Sequence, residues 1–257
     1  MSKNKTKKTK YTSINLNLDN GLNIALDIDK DVASKIRKFT KMKNLNLNLS
    51  KVNDVYRYLI FGDKTKLYKK ELEQDLEVFG KSNYKDRSTK EREEYKNIVL
   101  LLESPHSDEY DSNRFAIAPA QGETGRLIDM NILTVLRELK ELEKDLFSNE
   151  ENKYKLIISN PIQYQTSLYM YHNNKLKGKY KTLRNRCWKK IWKEEKIKNE
   201  FKERMDKYKP ELIINACTSD LQDNVTKFLK TNNFKKIYTS YHPSYWKGFN
   251  ITKEERV

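Results

Sequence analysis

The chain has 257 residues and a formal net charge of +16 at pH 7, from 52 Lys and Arg against 36 Asp and Glu. This charge favours a polyanionic partner, most commonly nucleic acid, although a general bias toward lysine would give the same balance. The two cysteines, Cys187 and Cys217, exclude a four-cysteine zinc or iron–sulfur site and argue against a disulfide framework. The apolar runs are far shorter than the roughly 20 residues of a membrane span, and no apolar segment follows the basic amino terminus. We therefore expect a soluble, cytoplasmic protein with no membrane partner.

The first part of the chain is predicted to form an accessory region. MSKNKTKKTK is typical of a disordered basic arm, and the strict alternation in INLNLDNGLNIALDI around Asp-Asn-Gly predicts a β-hairpin over residues 14–28. Two or three helices are predicted after the hairpin, over roughly residues 31–43, 50–60 and 65–79. Residues 81–96 are polar throughout, which is typical of a linker. We place a domain boundary there, with the accessory region at 1–95 and a second domain at 96–257.

In the second domain, short apolar runs alternate with helical patterns, which predicts βαβ units and a parallel sheet. The predicted strands are Ile98–Leu102, Leu156–Ile158, Leu212–Ile214 and Ile237–Tyr238. Between the first two, apolar residues recur every three positions from 127 to 139 and predict a helix with Thr124 as its N-cap. The segment 175–209 is also predicted to be helical. The fold class is therefore α/β, a three-layer α/β/α arrangement with a central, mostly parallel sheet.

Each predicted strand is followed by polar residues. In chain order these include Glu103, Ser104, Asn160, Asn215 and His242. In an open parallel sheet, ligands bind in the crevice beyond the carboxyl ends of the strands. We therefore expect these side chains to meet in one crevice.

Four short motifs lie in the second domain: ESPH at 103–106, AQGETGRLID at 120–129, LIISNP at 156–161 and HPSYW at 242–246. In order and spacing they resemble motifs of the uracil-DNA glycosylase superfamily. The counterparts are the first motif (GQDPY, GEAPG or GINPG), the VGRAGQLLD-type segment, the strand that ends in the base-reading asparagine, and the HPS motif. The resemblance covers roughly residues 95–250. It implies a DNA glycosylase, an enzyme that extrudes a nucleotide from the duplex and cleaves its glycosidic bond.

The resemblance gives two residues contacts with the base. His242 would donate a hydrogen bond to the oxygen of the departing base, where negative charge develops. Asn160 would read the Watson–Crick edge of the flipped base, because its amide carries both a donor and an acceptor. Rotation of that amide changes uracil reading into cytosine reading, so Asn160 does not name the base. The structural alternatives are a surface histidine in a turn and an ordinary Asn-Pro turn.

Two carboxylates are candidates for orienting the attacking water and stabilising the cationic sugar. In GQDPY the water-activating aspartate occupies the place of Ser104, which leaves catalysis to Glu103 or to Asp108. Glu103 has a structural alternative as a cap at the strand end. His106 takes the place of the glycine or tyrosine that shapes the pocket floor. We therefore expect Ser104 and His106 to contact the base.

The residues after His242 are expected to meet DNA. Trp246 stands where related enzymes carry a leucine wedge, and a large apolar side chain fills the hole that a flipped base leaves. Ser244 and Tyr245 are expected to contact DNA beside it. In the structural alternative both aromatic residues pack on the sheet.

A basic segment, Lys175–Lys193, is a second candidate DNA surface. It contains Arg184 and Arg186 between Trp188 and other aromatic residues, and basic residues interleaved with aromatic ones fit a DNA backbone. A solvated helix with a buried tryptophan stripe is an equal alternative.

The base is predicted from a departure at Ala120. In the related VGRAGQLLD segments a phenylalanine at this position stacks on the base. Loss of the aromatic wall enlarges the pocket, which favours a bulky 5-substituted cytosine such as glucosylated hydroxymethylcytosine. Such bases occur in phage genomes, and some superfamily members are thought to remove them in anti-phage defence. The expected partner is therefore double-stranded DNA, phage DNA in particular.

Other functions stay open. One is a uracil-DNA glycosylase of base-excision repair with an unusual pocket. Another is a DNA-binding module that has lost catalysis, which Ser104 favours. A nuclease is a third, although no acidic metal cluster is evident in the sequence. Glycosidic cleavage needs no metal and no cofactor, and we expect none.

Overall fold

The structure, a computed structural model, describes residues 10–62, 66–71, 95–148, 153–246 and 251–253. Nearly all of the predicted basic arm and of the predicted linker lies outside these ranges. Within them, no helix is both long and apolar enough to cross a membrane.

A small three-stranded sheet contains the predicted hairpin. β1 (Tyr11–Leu18) pairs antiparallel with β2 (Asn23–Asp29), and β3 (Asn46–Leu49) pairs parallel with β1. In the turn between β1 and β2, Gly21 has a φ of +89°, a left-handed conformation that glycine adopts without steric cost. Buried Leu and Ile side chains alternate with polar ones along these strands, because successive side chains point to opposite faces. The hairpin is confirmed, and α1 (Lys30–Thr40) confirms the first predicted helix.

The helices predicted at 50–60 and 65–79 are wrong where the structure describes these residues. β4 (Val55–Gly62) and β5 (Leu67–Glu71) form an antiparallel pair instead. The run VYRYLIF is rich in aromatic and β-branched side chains, which pack well on a pleated, half-buried surface. Residues 72–79 of the prediction lie outside the described ranges.

The central sheet is mixed and has seven strands within the described residues. Its parallel strands are β6 (Lys96–Leu101), β7 (Tyr154–Ser159), β8 (Pro210–Asn215) and β9 (Ile237–Ser240), and β10 (Ile251–Lys253) pairs antiparallel with β9. The order across the sheet is β10-β9-β8-β6-β7-β4-β5. The strands predicted in the second domain are confirmed. Because β4 pairs with β7, β4 and β5 belong to the same sheet as β6 to β9, across the boundary predicted after residue 95.

Helices lie on both faces of the sheet and give it three layers. The helices are α2 (Glu123–Leu142), α3 (Tyr169–His172), α4 (Lys179–Trp192), α5 (Glu195–Tyr208) and α6 (Ser219–Thr231). Along β6, Ile98 and Leu100 pack with α2, whereas Val99 and Leu101 pack with α4, α5, α6 and the small sheet. The predicted helical segment 175–209 is confirmed by α4 and α5.

The first turn of α2 differs from the prediction. The helix begins at Glu123 with Gly122 as its N-cap, so the predicted N-cap Thr124 is wrong. The predicted three-residue stripe also drifts off the buried face, since a helix has 3.6 residues per turn. Met130 of that stripe is 63% exposed, while Ile128 and Ile132 are buried.

Candidate active site

The order of the parallel strands reverses beside β6. The chain leaves β6 for β7 on one side and then crosses to β8 and β9 on the other side. Such a reversal of strand order is where open α/β sheets bind ligands, beyond the carboxyl ends of the strands. The loops after these strands carry the predicted site residues.

Glu103, just after β6, is held by buried donors. Its carboxylate forms an ion pair with Arg184 of α4, whose side chain is only 3% exposed. It also accepts a hydrogen bond from the hydroxyl of Thr218, the N-cap residue of α6. The indole N–H of Trp188 donates to the carbonyl oxygen of Glu103 at 2.9 Å. The carboxylate therefore joins β6, α4 and α6, which restricts its freedom to act on a water.

The placement of Arg184 and Arg186 corrects the predicted DNA surface. Arg184 is buried against Glu103 and cannot reach a DNA backbone in this arrangement. Arg186 donates to the carbonyl oxygen of Asp27 at 2.9 Å, and its guanidinium lies 5.2 Å from the centre of the Tyr11 ring. It therefore ties α4 to the small sheet.

The tryptophans of the same segment form a buried stripe, which was the alternative to a DNA surface. Trp188 and Trp192 are buried, and their ring centres lie 5.1 Å apart in a stacked arrangement. Cationic side chains on the opposite face of α4, such as Lys189 and Lys190, are exposed.

His242 lies just after β9, and its hydrogen bonds show which ring nitrogen carries the proton. Its Nδ1 accepts from the backbone N–H of Ser244 at 3.3 Å and lies 2.9 Å from the Ser244 hydroxyl oxygen. An Nδ1 that accepts a backbone hydrogen bond carries no proton, so the neutral ring holds its proton on Nε2. Burial, and to a smaller extent the positive charge of Arg184, lower the pKa of His242 to about 4. At neutral pH the side chain is therefore an uncharged N–H donor.

Asn160 directly follows β7 and is buried, with 2% of its surface exposed. Its side-chain oxygen Oδ1 meets no hydrogen-bond partner among the described residues. A buried polar atom without a partner is costly, and few occur in native structures. The unpartnered Oδ1 can accept a hydrogen bond from an N–H group of a ligand.

The loop after β6 is organised by a carboxylate that the sequence reasoning missed. Glu109 is buried and accepts hydrogen bonds from the backbone N–H groups of His106 and, at 3.0 Å, Ala120. Burial raises the pKa of its carboxyl group. Glu109 therefore joins two of the resembling motifs. The available signal was its spacing from His106, which matches a capping box around the short 3₁₀ turn Ser107–Glu109.

Asp108 lies on the same turn and is exposed. The Ser107 hydroxyl donates to it at 3.3 Å, and no ion pair holds it in the part of the chain that the structure describes. A Cβ at Gly122 would lie 1.9 Å from its Oδ2, so only glycine lets the carboxylate approach the start of α2 this closely. Of the two candidate catalytic carboxylates, Asp108 is therefore less restrained by ion pairs and hydrogen bonds than Glu103.

Ser104 and His106 lie near the loop that follows β7. The Ser104 hydroxyl hydrogen-bonds that of Thr166 at 2.7 Å, and the His106 ring centre lies 5.4 Å from that of Tyr169. Desolvation lowers the pKa of His106, while Asp108 acts in the opposite direction.

The placement of Ala120 corrects the argument for an enlarged pocket. Ala120 is 1% exposed, has a φ of +58°, and packs in the core on the α2 side of the sheet. Its side chain therefore lies in the core, and its small size says nothing about the width of a base pocket.

The predicted wedge is also corrected. Trp246 is 2% exposed, and its indole N–H donates to the Ser240 hydroxyl at 3.0 Å and to the Tyr241 carbonyl at 2.8 Å. A side chain fixed in the core cannot enter a duplex. Its neighbour Tyr245 is 69% exposed, and Ser244 is exposed beside it.

Among the described residues, no group of three or more His, Cys, Asp or Glu side chains is placed to hold a metal ion. No protein-family model matches the chain, and neither a curated protein nor a solved structure matches it.

Proposed function

We propose that the protein is a DNA glycosylase that flips a modified pyrimidine out of a duplex and hydrolyses its N-glycosidic bond, through a site on a uracil-DNA glycosylase-like fold. The observation that carries the proposal is His242: a neutral imidazole with its proton on Nε2, at the strand ends where such a sheet binds ligands. The motif order supports the same reading.

Bond cleavage needs a donor for the departing base. When the bond between C1′ and the base nitrogen breaks, its electron pair goes to the base and places negative charge on the ring oxygens. The Nε2–H of His242 stabilises that charge, because a preorganised donor in a desolvated site requires little reorganisation. The positive charge of Arg184, which already lowers the pKa of His242, acts in the same direction.

The sugar cation needs a water on its other face. We assign this role to Asp108, because it is exposed and outside the buried ion pair that restrains Glu103. As the water oxygen bonds to C1′, its proton moves to the Asp108 carboxylate. Glu103 then acts by holding Arg184.

Exposed lysine side chains and one exposed aromatic ring are proposed to bind the duplex. Exposed lysines of α4, such as Lys189 and Lys190, attract the phosphate backbone. Tyr245 replaces Trp246 as the wedge that fills the vacated space in the stack.

The proposed base is a bulky 5-substituted cytosine such as glucosylated hydroxymethylcytosine of phage DNA, and the proposed role is anti-phage defence. This choice now rests on the motif departure at His106, which takes the place of the glycine or tyrosine that shapes the pocket floor. The burial of Ala120 in the core removes one argument against plain uracil and so favours a base-excision-repair enzyme as the second candidate. The restrained Glu103 favours the third, a DNA-binding module without catalysis.

Three DNAs test the function: unmodified, uracil-containing, and phage DNA that carries glucosylated hydroxymethylcytosine. Abasic sites are scored by alkali cleavage and released bases by mass spectrometry. We expect release from the modified DNA, loss of release in His242→Ala, and full release in Met130→Ala, a control on the exposed face of α2. Release of uracil alone establishes the repair enzyme. Tight binding without release from any DNA establishes the binding module.

A further inference from the structure

The peptide segment that carries Asn160 is held by a buried carboxylate from outside the resembling region. Asp54 lies just before β4, and its side chain is 2% exposed. It accepts hydrogen bonds from the Ser159 hydroxyl at 2.8 Å, the Gln163 amide at 3.0 Å and the Tyr208 hydroxyl at 3.0 Å. The backbone N–H of Asn160 also points to it, at 3.4 Å. One carboxylate thus contacts residues on both sides of Asn160.

Arg204 of α5 holds the same segment through its carbonyl oxygens. Its guanidinium forms an ion pair with Asp54 and donates to the carbonyl oxygens of Asn160 at 3.0 Å and Pro161 at 3.4 Å. It also lies 3.1 Å from the Ser159 hydroxyl oxygen. Only the planar, forked guanidinium makes these contacts together, whereas a lysine ammonium acts as a point charge.

This arrangement does more than attach β4 to the sheet. The backbone hydrogen bonds between β4 and β7 already make that attachment. The Arg204 donors are directed instead at the carbonyl groups of residues 160 and 161, where β7 has ended. A buried ion pair is weak support for stability but fixes geometry, because each partner needs the other in place.

We infer that Asp54 and Arg204 are positioning residues for Asn160, so that the base-reading amide depends on a residue of the predicted accessory region. This inference rests on the proposed function of Asn160. The ion pair of Asp54 and Arg204, called the clamp below, fixes the peptide on both sides of the Asn160 side chain, whose Oδ1 is buried and unpartnered. Small errors in the placement of such a group cost rate out of proportion to their size, up to about 100-fold for about 1 Å.

The test compares Arg204→Lys with Val135→Ala. The lysine keeps the charge opposite Asp54 but cannot reach both carbonyl oxygens, whereas Val135→Ala opens a cavity on the α2 side of the sheet and leaves the clamp intact. We expect Arg204→Lys to lower kcat for base release by about 10-fold or more, with KM changed less than twofold. Val135→Ala should lose thermal stability with kcat unchanged. Amide hydrogen exchange should rise at Asn160, Ile162 and Gln163 in Arg204→Lys alone.

The outcomes separate the two proposals. An active wild-type protein whose Arg204→Lys variant keeps its kcat, or loses it only in proportion to stability as Val135→Ala does, overturns the positioning role and leaves the glycosylase standing. A wild-type protein that releases no base from any DNA overturns the proposed function and this inference with it. A selective fall in kcat together with faster amide exchange at Asn160, Ile162 and Gln163 supports the inference.

Discussion

The central and the flanking strands of the parallel set treat their polar groups differently. After the central strands β6 and β8, the Glu103 carboxylate pairs with the guanidinium of Arg184 and with the Thr218 hydroxyl, although Nε of Arg184 has no hydrogen-bond partner among the described residues. In the loops after β7 and β9, Asn160 keeps an unpartnered Oδ1, and His242 has its proton on Nε2, away from its own turn. The Glu103 ion pair forms the frame, and the groups that follow β7 and β9 are the ones that we propose bind a substrate. Sequence motifs do not distinguish the two sets, because polar residues follow the central and the flanking strands alike.

The sharpest test of this contrast is His242→Ala. Removal of one preorganised donor to a developing anion costs about 10²- to 10³-fold in rate. We expect a loss of this size in single-turnover base release, with the unfolding midpoint nearly unchanged, because the turn stays closed by backbone bonds from Tyr245 and Trp246. A variant that keeps its rate would place the leaving-group donor elsewhere.

The opposite behaviour is expected of Glu103→Gln. Glutamine keeps the shape but leaves the Arg184 charge buried without a counterion, which costs about 3 to 5 kcal/mol of stability. Urea unfolding measures the loss. The double variant Glu103→Gln/Arg184→Met should recover most of it, and failure to recover would show that the two side chains do not act as a pair.

Asp108→Asn tests the assignment of the water-orienting group. We expect base release to fall about 100-fold, within the range for general-base removal, with little change in stability since the carboxylate is exposed. Gly122→Ala gives an independent check, because its Cβ would displace the Asp108 side chain without removing the carboxylate. If neither variant loses rate, Glu103 regains the role.

Alanine substitutions at Tyr245 and Trp246 distinguish the side chain that enters the duplex from the one that packs in the core. Tyr245→Ala should lower release from duplex DNA by about 10-fold and leave release from single strands unchanged, since only a duplex leaves a hole to fill. Trp246→Ala should instead lower stability by about 3 to 5 kcal/mol, as expected for a buried tryptophan, and affect both substrates alike. The reverse pattern would restore the original wedge prediction.

The smallest expected effect concerns pH. The pKa of His242 is lowered in the folded state to about 4, from about 6.5 when unfolded, so protonation favours the unfolded chain. The protein therefore loses no stability through this group above about pH 6.5, and it loses stability as pH falls from there toward 4. Base release should show no inflection from this group between pH 5 and 8. Comparison of urea unfolding of wild type and His242→Ala at pH 7 and pH 5 checks the sign.

Local patterns were enough to predict the parallel strands and the hairpin, and they placed the proposed site at the carboxyl ends of those strands. They failed where contacts between residues far apart in the sequence determine the structure. VYRYLIF forms a strand because β7 offers it a partner, and Glu103 meets Arg184 only once α4 packs against β6. The burial of Trp246 depends likewise on Ser240 and on the α2-side core. Only Glu109 had a local signal, the capping-box spacing, that could have been used.

The insertion of β4 beside β7 has a practical consequence for how the molecule can be divided. A fragment cut after residue 95 keeps every resembling motif but removes β4, and β7 becomes the border of the sheet. A strand newly exposed in this way presents a row of unpaired N–H and C=O groups, which is a template for aggregation. We therefore expect such a fragment to be poorly behaved even though it spans the resembling region, and its inactivity would say nothing about the chemistry of the intact chain.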